Sequence, residues 1–498
     1  MEEVVISQGS SKSTGDIEHY DEHYDTYHDV SIDDTRKLGN DWEKKKLYYN
    51  TFDGDSSFSI TPIKRDNYRA DNRYYVLLLS TFLMFGGYFC MDQPNALSKH
   101  LEQSLTGESA MKYNMLYSVY AYPNIIMPFF GGVFIDKVGL KSALNILFAL
   151  CIAGQAFFTF GGYIEGSHGY TMALFGRCLF GMGNESLNIV QSIFANKWFK
   201  GKELAFVLAL GMSVGRLGST SNNLLMPIMA DKLCLSAALL FGLSLICICF
   251  CSGQILLRFE ENAQRRELPV NNPGNDEKLD FSSLKKFPLS YWLICLSCVS
   301  VYSSIFPFTN ISNSMFMHKY DLSLTVASRL TSSIFIIAAL LCATFGFLID
   351  RVGYRISFVV FSSFLLLTAH TSFLVMPACD GCYEGLFPLI CIGIAYAIYA
   401  AALWPMIPIV IKEEYLGTAF GCAIAIQNAG CGFGPNIVGF LQNYDTSYRS
   451  TLIFFMLVSI FGILCEIVLY FTSKKYHSNK IQLPSDKIAE IESKEYEN

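Results

Sequence analysis

Charge is scarce in this 498-residue chain: 16% of it is Asp, Glu, Lys or Arg, where an ordinary soluble domain carries about a quarter. With 52% hydrophobic residues and a mean hydropathy of +0.32, that scarcity excludes a plain soluble globular enzyme. Much of the charge lies in residues 1–72, which hold 16 Asp/Glu, 9 Lys/Arg and three of the eight His. No apolar run with a basic flank precedes Tyr74, so no cleaved signal peptide is expected and the acidic head is expected in the cytosol. No Walker loop is present, which removes ATP as a driver, and no nucleophile and base pair is identifiable, so no enzymatic activity is expected. The net charge of −6 argues against nucleic acid as a partner. Fourteen of the sixteen Cys lie in or at the ends of apolar runs, where thiols pack as small polarizable groups; no zinc or cluster spacing appears, and neither metal nor cofactor is expected. Cys379 and Cys382 in CDGC stand apart, as a local disulfide or as two free thiols.

What the chain has in abundance is long apolar segments. About 400 residues follow Tyr74, and a helix needs about 20 to cross a hydrocarbon layer of ~30 Å. We read twelve helical spans, at 74–97, 113–135, 141–163, 171–195, 204–228, 233–257, 289–313, 323–349, 355–377, 385–410, 416–441 and 450–472. Backbone groups in lipid must be satisfied within each segment, and these runs are too long for barrel strands, so the fold class is all-α and polytopic. The expected organisation is a disordered acidic tail (1–72), a six-helix bundle (73–257), a polar linker (258–288), a second six-helix bundle (289–472) and a C-terminal tail (473–498). The linker and the loops leaving the even-numbered spans carry 14 Lys/Arg against five in the opposite loops, which puts both termini in the cytosol.

The two halves repeat. GVFIDKVGLK at 132–141 and GFLIDRVGYR at 346–355 follow the second span of each half at a constant offset of 214 residues. Parallel repeats of this kind belong to transporters with a site between the halves at mid-membrane. Asp136, Lys137 and Gly139, with Asp350, Arg351 and Gly353, are therefore gating candidates, the aspartates capping or pairing at helix ends while the halves rock. At these residues the sequence resembles the major facilitator superfamily, and RCLFGMG at 177–183 is similar to its fourth-span arginine motif, which makes Arg177 a coupling candidate or a helix-bundle contact. The runs FGGYFCMDQPNAL (85–97), FGRCLFGMGNESL (175–187), WFKGKELAF (198–206), RLGST (216–220), ALWPM (402–406) and LGTAFGCAIAIQN (416–428) resemble the lysosomal dipeptide transporter branch over about 75–470. That resemblance implies a lysosomal uniporter exporting dipeptides, stabilised by a glycosylated single-span partner. The branch's acidic dileucine sorting signal is missing from residues 1–72, where YNTF at 49–52 is the substitute candidate, so the plasma membrane stays open as a location.

Ionisable groups inside the membrane cost at least a few kcal/mol and face a cavity or a partner. Counting ~1.5 Å per residue puts Glu185 about 21 Å from the luminal end of the fourth span and Arg216 about 18 Å from the cytosolic end of the fifth, both near mid-depth. One acid and one arginine complement a zwitterionic peptide, Glu185 taking the ammonium and Arg216 the carboxylate as a bidentate pair. Each also matches the substrate-contacting position of the resembled branch. The alternative is an intramembrane ion pair locking the two helices. Tyr117 and Tyr120 share one helical face, Trp404 approaches from the second half, and Gln191 with Asn188 continues the Glu185 face; these join the binding candidates, each with helix packing as its alternative. Proton-coupled symport of organic anions and a non-transporting sensor remain as alternative functions.

Overall fold

The computed structural model describes residues 29–30, 48–51, 58–61, 68–107, 109–164, 166–199, 202–266, 281–412, 415–476, 480–488 and 490–491. The chain forms two compact units, residues 1–67 and 68–498. In the first, Asp29–Val30 and Tyr48–Thr51 flank Phe58–Thr61 in an antiparallel three-stranded sheet. Most of the tail expected to be disordered, including the His-rich run at 18–28, lies outside the described residues.

The second unit is helical, and its long helices match the expected spans. They are Tyr68–Met91, Ala110–Ala121 continued by Met127–Val138, Leu140–Ile164, Gly166–Trp198, Lys202–Lys232 and Leu235–Arg266 in the first half. In the second half they are Leu289–Tyr320, Leu324–Val352, Arg355–Val375, Leu386–Leu403 continued by Ile407–Val410, Leu416–Tyr444 and Arg449–Tyr476. We number these the first to twelfth spans. Eight of them are apolar enough to cross a bilayer by length and composition alone. Of the remaining four, the second is divided at its proline break into two 12-residue helices, and the fourth, fifth and eleventh are diluted by groups such as Arg177, Asn184, Glu185, Arg216, Asn222, Asn428 and Gln442, which only a bundle interior tolerates.

The ends differ from the sequence expectation in one place that matters. The sixth helix runs on to Arg266, into the segment read as linker, because Glu260 is buried there and accepts hydrogen bonds from Trp198 Nε1 (2.7 Å), Gln264 (2.8 Å), Lys197 (3.2 Å) and Arg69 (3.3 Å). Residues 267–280 lie outside the described ones.

Proline breaks the second and tenth helices. Pro123 and Pro128 interrupt the second around a tight turn at Tyr122–Ile125, and Pro405 and Pro408 interrupt the tenth around Trp404–Met406, since proline lacks the N–H and collides with the preceding turn. The first helix ends at Met91 and restarts beyond Asp92 at Gln93–Ala96, with Pro94 in its first turn.

Each half closes its own apolar core, one built on residues such as Phe148, Phe180 and Leu256, the other on Phe308, Phe373 and Leu366. The second span packs on the eleventh and the fifth on the eighth across the seam. The face where chain segments enter and leave the halves is called here the terminal face, and its opposite the distal face. Hydrogen bonds between halves gather toward the distal face: Tyr113 OH to Asn310 O (2.8 Å), Asn313 Nδ2 to Asn95 O (2.9 Å), Ser314 Oγ to Glu102 (2.8 Å), Asn114 Nδ2 to Gln442 (3.0 Å) and Thr325 Oγ1 to Asp231 (3.2 Å). Asn310, the sequon closest to that face, is buried among these contacts, so it is no glycan acceptor in this conformation.

Candidate functional site

The fourth and fifth helices carry the two charges that the sequence singles out, and the structure gives each a different setting. Glu185 is held by Tyr120, whose hydroxyl donates to Oε1 at 2.9 Å and accepts from Asn184 Nδ2 at 2.9 Å. Asn188, one turn along, reaches Oε2 at 3.4 Å. Tyr120 stands just before the proline break of the second helix, and Asn124 within the break bonds to Tyr120 O (3.0 Å) and Gly181 O (3.2 Å). The break is thereby fastened to the fourth helix and aims the Tyr120 hydroxyl at Glu185.

Arg216 is buried yet meets aromatic faces instead of acceptors. Its guanidinium carbon lies 4.6 Å from the Tyr88 ring, 4.7 Å from Tyr396 and 5.8 Å from Phe306. Tyr88 belongs to the first half, Tyr396 and Phe306 to the second, so this one cation spans the seam. No hydrogen bond from Arg216's side chain joins any described residue, while Asp92 and Glu185 both lie within its electrostatic range. A crevice of about 10 Å³ opens beside it, lined by Ser213, Met212, Ala338, Cys342 and Tyr396. The alternative in which Glu185 and Arg216 lock adjacent helices as an ion pair is not formed here, because Glu185 is occupied by Tyr120 and Asn188 and Arg216 is sandwiched by rings.

Arg177 shows what a satisfied buried arginine looks like in the same fold. It is fully buried and donates to the carbonyls of Leu116 (3.2 Å), Cys90 (3.2 Å) and Met91 (2.9 Å). The guanidinium thereby ties the end of the first span to the second and caps carbonyls freed by the break after Met91. Tyr117 lies beneath Arg177, 5.6 Å from ring centre to guanidinium carbon, with its hydroxyl buried. It is therefore placed with Arg177, away from Arg216.

Of the remaining candidates, Trp404 donates Nε1 to Tyr302 OH at 3.1 Å, and Tyr302 stacks on Phe306 (5.5 Å) and meets Tyr396 edge-on (6.3 Å). Trp404 is thus one ring removed from the wall around Arg216. Gln191 is buried against Gly211, and its Nε2 has no hydrogen-bond partner among the described residues. At the terminal face, Gly139 and Gly353 take matching left-handed φ values of 84° and 79°, which end the second and eighth helices and favour glycine. Lys137 and Arg351 are exposed, and the Asp136 side chain lies outside the described residues. Asp350 Oδ1 accepts from Arg355 (3.3 Å) and from Ser485 Oγ (2.9 Å). At the position of Arg355 in the first copy, Lys141 pairs instead with Glu261 of the sixth helix at 2.7 Å.

Sequence reasoning missed Tyr88, Phe306 and Tyr302, although Tyr88 stands one helical turn before Asp92 and was within reach of a face argument. It also missed Glu466, which is fully buried in the twelfth helix with Oε1 accepting from Ser297 and Ser363, each at 2.7 Å. Cys379 and Cys382 form a disulfide in the loop before the tenth helix, with Cα atoms 5.9 Å apart.

The profile of the Major Facilitator Superfamily matches residues 77–435 and, in a second placement, 300–494. The lysosomal dipeptide transporter MFSD1 of Homo sapiens is 32% identical over 429 residues, covering 84% of this chain and 90% of its own length. The protein of the same name from Danio rerio is 30% identical over 424 residues, covering 83% and 90%. The hexuronate transporter of Bacillus subtilis is 23% identical over 377 residues, covering 72% and 86%. Two six-helix halves with a repeated turn motif, a charged seam at mid-depth and these matches lead to one conclusion: the chain belongs to the major facilitator superfamily and is a membrane transporter, not an enzyme.

Proposed function

We propose that this protein is a facilitative dipeptide transporter of the lysosomal or vacuolar membrane, working by alternating access with its terminal face in the cytosol. The observation that carries the reading is Arg216: a buried guanidinium with no hydrogen-bond acceptor among the described residues, poised at the seam between aromatic walls from both halves. Its planar fork of donors suits a carboxylate held at two points. Glu185, steadied by Tyr120, supplies the complementary charge for an ammonium. The cargo's charged ends would so be read by one residue from each of two adjacent helices, while Tyr396, Phe306 and, behind them, Trp404 offer apolar and aromatic surface to its side chains.

The crevice beside Arg216 has room for about one water, so a dipeptide is admitted only as the halves part. The hydrogen bonds gathered toward the distal face, the luminal one in this reading, describe a conformation closed on that side. Breaking them and opening that side is then the other half of the cycle, with Asp136, Lys137 and Gly139 and their counterparts Asp350, Arg351 and Gly353 at the cytosolic turns. The domain organisation is part of the same reading: bundles at 73–257, prolonged by the sixth helix to Arg266, and 289–472 rock about the remainder of the linker read at 258–288. The short luminal loops are consistent with a glycosylated single-span partner shielding them in a proteolytic compartment.

Counterflow of a labelled dipeptide into liposomes holding the purified protein, with and without a pH gradient, tests this proposal. Flux that ignores the gradient and is lost in both Glu185→Gln and Arg216→Ala supports a dipeptide uniporter. Accumulation driven by the gradient would replace uniport by proton coupling, and binding without counterflow would replace transport by sensing.

A further inference from the structure

Beyond the twelfth helix the chain returns to the bundle. Ile481 is fully buried in the second-half core, and Gln482 and Ile488 are buried beside it. Gln482 O accepts from Tyr354 N at 2.9 Å. Arg355, almost fully buried, donates Nη1 to Leu483 O and Nη2 to Ser485 Oγ, both at 2.7 Å, and Nη2 also reaches Asp350 at 3.3 Å. Ser485 closes the ring by donating to Asp350 at 2.9 Å. The turn between the eighth and ninth helices is shaped for this guest. At Gly353 a Cβ would stand 2.4 Å from Gln482 O and 2.8 Å from Pro484 N, closer than real Cβ atoms approach.

The same segment touches the far arm of the broken tenth helix. Lys480–Gln482 packs against Ile407–Val410, the short helix beyond the proline turn Trp404–Met406. The near arm, Leu386–Leu403, carries Tyr396, the ring under Arg216. A helix broken at a hinge transmits motion usefully only if one arm is held. Here one arm reaches the candidate substrate site and the other is fastened to the Asp350–Arg355 turn by a segment more than 120 residues away in sequence.

We infer that residues 480–488 are a positioning clamp: docked on Gly353, Asp350 and Arg355, they hold the far arm of the tenth helix as the fixed side of the hinge about which the Tyr396 arm moves. This rests on the transport reading above and deepens it. Arg355, Ser485 and Gly353 act through the tenth helix and touch no cargo, so the clamp governs the rate of alternation and not affinity. It stays shut through the cycle, because an arm that let go would remove the hinge.

The test pairs loosening with rescue in the full-length protein. Asp350→Cys with Ser485→Cys removes both side-chain partners of Arg355 Nη2, and the maximal counterflow rate is expected to fall roughly five- to tenfold with KM changed less than about twofold. A short bis-methanethiosulfonate cross-linker, which joins the two cysteines through disulfides as each end expels methanesulfinate, should restore the rate, and reductant should abolish it again, with wild type treated identically as control. A rate unchanged by the double substitution, a larger change in KM than in rate, or a linked clamp that stops flux would each overturn the inference.

A second arm needs no substrate. Spin labels at Arg351→Cys and Lys412→Cys, with exposed Cys234, Cys247 and Cys251 replaced by serine, should give a narrow distance distribution that broadens when Arg355→Ala is added. An unbroadened distribution would overturn the clamp whatever the cargo proves to be. Absence of dipeptide flux in wild type with broadening intact would overturn the substrate reading alone.

Discussion

Replacing Arg216 by lysine keeps the charge and removes the fork, which makes it a sharp probe of the binding site. Among the described residues the guanidinium has no hydrogen-bond acceptor and is held by the faces of Tyr88 and Tyr396 at 4.6 and 4.7 Å. Lysine would keep a cation near those rings but present a single ammonium to a carboxylate in place of two parallel N–H groups. One charge-assisted hydrogen bond is worth about 1.5–3 kcal/mol. At 1.4 kcal/mol per decade, its loss weakens dipeptide binding about 10- to 150-fold. No buried protein acceptor is orphaned by the change, so the thermal midpoint should move little. The assay is equilibrium binding or counterflow with a free dipeptide and with its C-terminal amide. Wild type should discriminate strongly against the amide, and Arg216→Lys should discriminate much less. Equal affinity of mutant and wild type for the free dipeptide, or wild-type indifference to the amide, would refute the assignment of Arg216 to the carboxylate.

Two further predictions concern stability. The loop before the twelfth helix is organised by Asp445, whose carboxyl receives hydrogen bonds from the Ser447 side chain, the Ser450 backbone (2.8 Å) and the Ser447 backbone (3.0 Å); these hold its pKa down at about 2. A group depressed below its unfolded value of ~3.9 stabilises fully above that value and loses its contribution as pH falls through the folded one. Asp445→Ala should therefore lower stability in detergent by about 1 kcal/mol from neutral pH down to about pH 4, with the gap to wild type closing as pH approaches 2; thermal unfolding at stepped pH reads it, and a gap that widens in acid would contradict the cap. Glu466→Ala leaves the Ser297 and Ser363 hydroxyls without their shared acceptor in a fully buried site, at about 1–3 kcal/mol each, whereas Glu466→Gln retains an acceptor and should cost much less. Equal thermal midpoints for the two variants would show that the serines find other partners.

The contrast between Arg177 and Arg216 shows where sequence stops and structure begins. Both are lone arginines in apolar runs, and counting along the helices gives their depths, Arg177 nearer its span's end and Arg216 near the middle, but not their partners. Only the packed helices reveal that Arg177 donates to two carbonyls at the break after Met91 and to Leu116 O of the second span, while Arg216 meets ring faces and no hydrogen-bond acceptor among the described residues. Tyr117 and Tyr120 present the same lesson on one helical face. Both rings lie under the Arg177 guanidinium, at 5.0 and 5.6 Å, yet only the Tyr120 hydroxyl reaches Glu185.

Other features were decided by local chemistry and were legible before any folding. Apolar runs of about 20 residues dictate membrane helices because backbone polar groups in lipid have no other partners. The repeat at 132–141 and 346–355 announces two halves, and its glycines mark the turns where φ turns positive. The depth and opposite sign of Glu185 and Arg216 follow from counting along two helices.

What sequence by itself cannot supply is the partner of a group when that partner is distant along the chain. Tyr88, Phe306 and Tyr396 converge on Arg216 from three helices, and Ser485 reaches Asp350 across 135 residues. Helix formation depends on near neighbours and is written in composition and periodicity. Which side chains meet depends on how helices rotate and cross as they bury their surfaces together, and that is settled only when the whole bundle packs.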